Sequence, residues 1–186
     1  MKIGVFGGAF DPPHNGHNQV ASALIAQKKV DEVWFVPVFT HPWADRYQKK
    51  HMAEYAHRVQ MIKQVLGKKQ RLKHFRQVSF TYDTLQYFSS RYPQHTFFWI
   101  MGSEYLARFS DFLKVHPKLL DYQMFIYPRA GSPLEQLYPN MTPVTGVEEV
   151  TVSSTQVREL LRAGESVTNL VHPDVAQYCL EHKLYI

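Results

Sequence analysis

Two histidines, His14 and His17, close the stretch GGAFDPPHNGH, which opens on Gly7 and Gly8 and carries a Pro-Pro pair. These residue types suit phosphate chemistry. The glycines let backbone approach a ligand with no side chain between them. Pro12 and Pro13 stiffen the turn and delay the following helix to near Asn15. A helix start presents unpaired N–H groups and the positive end of a dipole, which favours an anion. His14 and His17 add two imidazole donors at the same point. Neither the lysine-bearing P-loop nor GxGxxG is present, so this phosphate cradle is of another kind. HxxH alone is a weak zinc pattern, and the single cysteine, Cys179, lies far away in the chain. No metal ligand is assigned.

The elements that must position these groups alternate strand and helix. KIGVFG, EVWFVPV (residues 32–38), HTFFWIMG (95–102) and YQMFIYPR (122–129) are apolar runs rich in β-branched and aromatic residues, which predicts buried strands. VEEVTV (147–152) predicts another. HNQVASALIAQKKV places Val20, Ala21, Leu24 and Ile25 on one helical face, and EYAHRVQMIKQVL and TYDTLQYFSSRY have helical spacing too. STQVRELLRAG reads as a helix ending at Gly164. This order predicts an α/β fold: a Rossmann-like, doubly wound parallel sheet with helices on both faces, in a single domain over residues 1–186. Ligands in such sheets bind beyond the carboxyl ends of the strands, where the strand order reverses. GGAFDPPH, IMGSE and VTVSST all end strands, so the fold class brings them together.

The whole chain sets bounds on function. Its 186 residues, 45% hydrophobic and 20% charged, are those of an ordinary soluble globular protein. No apolar run approaches the roughly 18 residues of a membrane span, and IGVF is too short for a signal-peptide core. A lone cysteine suits a reducing compartment, so the expected location is the cytoplasm. The net charge of +5 fits either nucleic acid or a small phosphate-rich substrate. The basic clusters KKQRLKHFR (68–76) and YQKKH (47–51) are short and lack zinc-finger or RNA-recognition spacing. The expected partners are therefore small molecules, with no nucleic acid and no membrane. The chain is compatible with a homo-oligomer.

Taken whole, GGAFDPPHNGH resembles the signature of the HxGH nucleotidyltransferases, and more narrowly that of the nicotinate or nicotinamide mononucleotide adenylyltransferases. The second hallmark of that superfamily, a Ser/Thr-rich turn opening a helix with an arginine, is similar to VSSTQVREL, with Ser153, Ser154, Thr155 and Arg158. SFTYDTL (79–85), IMGSEYL (100–106), YPRAG (127–131) and VHPDVAQYCLEHKLYI resemble further family pieces, in the family's order and over almost the whole chain. The resemblance implies an enzyme that joins a pyridine mononucleotide to ATP, giving deamido-NAD or NAD and pyrophosphate in NAD biosynthesis. The mononucleotide phosphate is itself the nucleophile, so the protein's task is to hold two anions together and neutralise charge.

The same resemblance implies His14, His17 and Arg158 as catalytic. It implies Gly8, Ala9, Phe10, Gly102, Glu104, Ser154 and Thr155 as further ATP-binding residues. Ser154 and Thr155 are equally suited to cap the helix. For the mononucleotide it implies Thr81 and Phe112 at the pyridine, one of Lys49 and Lys50 together with Arg58 as phosphate contacts, and Arg129 as a further substrate-binding residue. Mg²⁺ is expected with ATP, held mainly by phosphates and water. Two positions depart from the family pattern: Phe112 stands where a tryptophan is usual, and Glu104 where an aspartate is. The base, nicotinate or nicotinamide, stays open. The alternatives are another HxGH enzyme, such as a phosphopantetheine adenylyltransferase or a cytidylyltransferase, and a regulator that binds nucleotide without catalysis. The Asp-Pro-Pro insertion and SFTYDTL argue against the first.

Overall fold

Side chains on successive strand residues point to opposite faces, so an apolar run must be covered on both sides. The computed structural model describes residues 1–40, 52–77 and 80–186. Its strands are β1 (Lys2–Gly8), β2 (Glu32–Pro37), β3 (Gln70–Leu72), β4 (Thr96–Gly102), β5 (Gln123–Tyr127) and β6 (Met141–Pro143). The helices are α1 (Asn15–Ala26), α2 (Tyr55–Val65), α3 (Thr81–Arg91), α4 (Phe109–Val115), α5 (Ser154–Arg162) and α6 (Pro173–Glu181). The six strands form one parallel sheet in the order β3-β2-β1-β4-β5-β6. The order reverses between β1 and β4, so a crevice opens beyond their carboxyl ends, at Gly8 and Gly102.

Each face of the sheet has its own core. Phe6, Phe35, Ile100 and Phe125 pack with Val20 and Leu24 of α1, Met61 and Ile62 of α2, Val157 and Leu161 of α5, and Val175 of α6. The alternate residues Ile3, Val5, Trp34, Trp99 and Ile126 pack with Leu85 and Phe88 of α3 and Phe109 of α4. Each fully buried side chain of this size contributes about 1.5–3 kcal/mol. Cys179 belongs to the first core, with its Sγ 3.6 Å from Met61 Sδ, and burial, followed by the charge of Asp11, pushes its thiol up to about 12. It is a core residue. Among the described residues, no helix is long and apolar enough to cross a membrane.

The sheet's edges differ from the sequence expectation. VEEVTV is not a strand: only Val150 forms a bridge, with Arg129. The Val152 carbonyl is taken by Arg129 Nη1 at 2.6 Å instead of by a neighbouring strand, and Ser153 then caps α5. The sixth strand is the three-residue β6, in a stretch expected to be a loop. β3, within the basic cluster KKQRLKHFR, is also a strand. Three residues are too few to show a period of two.

α1 begins at Asn15, where the prolines predict it, and Gly16 lets it lie close to the segment before α5. A Cβ at Gly16 would run into Val150 Cγ1 and come within 3.2 Å of His14 Nδ1. Gly16→Ala is therefore expected to lose about 1–3 kcal/mol of stability, read by urea denaturation, as an overpacked core does. Wild-type stability would show that Val150 simply turns aside.

Candidate active site

Leaving β1, the chain has to turn without ladder partners for its carbonyls, and side chains supply them. Arg58 Nη1 donates to the Ala9 carbonyl at 2.8 Å, Arg158 Nη1 to the Asp11 carbonyl at 2.7 Å, and Ser154 Oγ to the Pro12 carbonyl at 2.9 Å. Phe10, at φ +50, takes the left-handed conformation that a non-glycine residue adopts only when packing enforces it. Its ring is buried against Phe6 and Phe35. Asp11 is buried as well, with Oδ1 accepting from the Ala53 amide at 2.9 Å and from the Tyr185 hydroxyl at 2.6 Å.

At the mouth of α1 the imidazoles of His14 and His17 stack, with ring centroids 3.7 Å apart. His17 Nδ1 accepts the His14 backbone N–H at 3.0 Å. That nitrogen therefore carries no proton, and the neutral ring presents Nε2–H as a donor. His14 Nδ1 is buried with no hydrogen-bond partner among the described residues. Burial first and the Arg129 charge second lower His17 to about 3. His14 is held still lower by burial, then by His17 and Arg129. Both rings are uncharged at neutral pH.

The cation that adds to the effect of burial, Arg129, is fixed by its own bonds. Besides the bond to Val152, the Arg129 amide donates to Ser103 Oγ at 2.9 Å, and its Nε lies 3.8 Å from Glu104 Oε2. Burial raises the Glu104 carboxyl, opposed by its own backbone amide and by Arg129. Gly102 leaves the space that the Glu104 carboxylate takes, since a Cβ there would displace the end of that side chain. Across the crevice, Ser153 caps α5 by accepting the Gln156 amide at 3.1 Å. That leaves Ser154 for the loop and Thr155 Oγ1 to accept Arg158 Nη2 at 3.1 Å.

One cavity of about 730 Å³ joins these parts, a volume suited to a nucleotide pair. Gly8, Ala9, Phe10, His14, His17, Thr81, Gly102, Glu104, Phe112, Arg129, Ser154, Thr155 and Arg158 all line it. Arg58 does not. It is 1% exposed, and its guanidinium bonds the carbonyls of Ala9 and Ala53, so it braces the loop from behind. Lys49 and Lys50 lie outside the described residues. Sequence reasoning passed over Trp99, Tyr105, Arg108 and Arg162, which also line the cavity. Arg162 was legible, since it lies one helical turn beyond Arg158. Trp99 meets Phe112 edge-on at 6.2 Å and thickens the aromatic wall where the smaller ring stands.

A family model described as cytidylyltransferase-like matches residues 5–160. The nicotinate-nucleotide adenylyltransferase of Bacillus subtilis is 32% identical over 190 residues, covering 99% of this chain and 98% of that protein. A probable nicotinate-nucleotide adenylyltransferase of Bacillus licheniformis is 33% identical over 194 residues, with 99% and 98% covered. A solved structure of the Plasmodium falciparum nicotinic acid mononucleotide adenylyltransferase complexed with NaAD matches with a TM-score of 0.82 at 21% identity, covering 100% of this chain and 97% of that one. At that identity the likeness is one of fold.

The imidazoles give the site a pH signature. A base whose pKa is lowered on folding stays neutral through the range where the unfolded side chain, at 6.5, takes up its proton. Between 6.5 and about 3 the unfolded chain thus binds more protons at His17, and this contribution to stability falls as pH falls. Imidazole NMR shifts of His14 and His17 are expected to stay flat from about pH 5 to pH 8, where an ordinary histidine titrates. A midpoint near 6.5 for either ring would contradict the geometry.

Proposed function

The chain belongs to the cytidylyltransferase-like family, among its nicotinate-nucleotide adenylyltransferases, and from that premise we propose how its cavity joins ATP to the mononucleotide. A phosphate oxygen of nicotinate mononucleotide forms a bond to the α-phosphorus of ATP. The bond from that phosphorus to the β-phosphate bridging oxygen breaks, and its electron pair leaves with pyrophosphate. The product is the deamido-NAD dinucleotide, a step in NAD biosynthesis, and residues 1–186 act as one nucleotidyltransferase domain.

The observation that carries this reading is the fixed tautomer of His17 at the mouth of α1. Its Nε2–H is a donor set in place before substrate arrives, beside a second buried imidazole and the amino end of a helix. Donors fixed where charge develops stabilise the transition state with little reorganisation. Because both rings are neutral, their contribution is hydrogen bonding. The full positive charges come from Arg129 and Arg158. Arg158, with Ser154, Thr155 and the first amides of α5, holds the β- and γ-phosphates and takes up charge on the leaving group. Gly8, Ala9, Phe10, Gly102 and Glu104 contact the rest of ATP. Thr81 at the start of α3 and the ring of Phe112 hold the pyridine.

A divalent ion carried by ATP, Mg²⁺ on this reading, neutralises triphosphate charge when bound. Such an ion would be held mainly by phosphates and water. The cytoplasm is the compartment that suits the single buried thiol. Nicotinate is preferred to nicotinamide on the strength of the relatives' stated substrate.

Two measurements test this. Pyrophosphate release with ATP and Mg²⁺ is expected to be at least about tenfold more efficient, as kcat/KM, for nicotinate than for nicotinamide mononucleotide. No release with either would refute the assignment. His17→Ala is expected to lower kcat by about 10²–10³, the worth of a well-placed transition-state donor. Near-wild-type turnover in that variant would remove His17 from the chemistry.

A further inference from the structure

Tyr185 lies 174 residues from Asp11 in sequence, yet its hydroxyl donates to Asp11 Oδ1 at 2.6 Å. The segment after α6 is folded back to make this contact. Leu184 N–H donates to the Cys179 carbonyl at 2.8 Å, and Lys183 and Tyr185 take the left-handed conformation at φ +50 and +67. Leu184 and Tyr185 pack against the core cluster that holds α5 and α6. Non-glycine residues hold such angles only where surrounding contacts outweigh the local cost. The contact is therefore a built feature of the fold.

Its consequence lies at the other carboxylate oxygen. Asp11 Oδ2 stops 3.7 Å from Arg158 Nη1, short of a close ion pair, while Oδ1 is held on the far side by Tyr185 and the Ala53 amide. Arg158 Nη1 instead bonds the Asp11 carbonyl at 2.7 Å, and Nη2 bonds Thr155. The guanidinium thus lines the cavity with its nearest carboxylate held at 3.7 Å, longer than a close ion pair. Tyr185 does not line that cavity. It lines a second one, with Ala53, Arg162 and Lys183, and its hydroxyl meets the clamp at Asp11.

We propose that Tyr185 is a positioning residue for the triphosphate clamp: by holding the Asp11 carboxylate back, it keeps Arg158 available to the β- and γ-phosphates of ATP. The proposal rests on the adenylyl-transfer reading for the identity of the triphosphate. Without the hydroxyl, Asp11 Oδ1 keeps, among the described residues, the Ala53 amide alone, and the carboxylate turns to close on Arg158. The aspartate then competes with phosphate for the same cation. Removing its charge abolishes that competition, so Tyr185→Phe should matter only while residue 11 is an aspartate.

Calorimetric affinity for α,β-methylene-ATP and for AMP separates the cases. Y185F keeps the ring and its packing. It is expected to weaken the triphosphate analogue by about 3- to 10-fold, the worth of one hydrogen bond, and to leave AMP within about twofold. In the D11N background the same substitution is expected to change neither ligand. Unchanged triphosphate affinity, equal weakening of both ligands, or the same effect with and without D11N would overturn the proposal. Wild-type protein that binds the analogue yet releases no pyrophosphate with nicotinate mononucleotide would defeat the adenylyl-transfer reading alone. The affinity comparison would still decide the role of Tyr185.

Discussion

Where β1 ends, its backbone carbonyls lose their ladder partners, and a buried carbonyl without a donor is costly. At Ala9, Asp11 and Pro12 the donor is a side chain: Arg58 from α2, Arg158 from α5 and Ser154 from α5. Those bonds do two things at once. They make the loop's shape independent of its own short sequence, and they set the helices that carry the phosphate-facing groups against it. The loop, the start of α1 and the start of α5 are therefore one rigid unit. Loss of any of these donors exposes a carbonyl and loosens the site together.

The electrostatics of that unit divide labour between fixed charge and directional donors. Permanent positive charge comes from arginines, whose guanidinium groups stay protonated and match phosphate geometry. The histidines stand close to Arg129 and to each other inside the fold, and this keeps them neutral. A neutral imidazole with one nitrogen engaged has only one donor direction, so His17 cannot serve as a diffuse cation. Acidic groups at the cavity wall temper the arginines, Glu104 against Arg129 and Asp11 against Arg158. The resulting cavity attracts anions without locking its own guanidinium groups into tight ion pairs.

Much of this was legible from sequence, for reasons that can be named. β1, β2, β4 and β5 are buried on both faces, so each appears as an unbroken apolar run, and their order with the helices implies the sheet. The place of His14 and His17 in the cavity was legible because they stand where β1 leads into α1 in a string of unusual residue types, and that of Arg158 because VSSTQVREL resembles a family hallmark. The three-residue edge strands β3 and β6 carry no period, and VEEVTV has one that its carbonyls do not use. Arg58 sits outside the cavity lining, and a helical arginine reads equally well as a phosphate ligand or a buried brace. Only the position of Ala9 distinguishes them. The meeting of Tyr185 with Asp11 depends on how α6 packs, which no local pattern encodes.

The two faces of the sheet also divide the reaction. α1 and α5 pack on one face and bring His14, His17, Ser154 and Arg158 to the crevice, whereas α3 and α4 pack on the other and bring Thr81 and Phe112. The switch between β1 and β4 is the one place where both sets reach the same space. The two sets of cavity-lining residues are thus carried by separate cores. Phe112 lies on the α3 and α4 side, where Trp99 and Tyr105 adjoin its ring. On the proposed reading, this departure from the family pattern bears on the base and not on the groups that α1 and α5 carry.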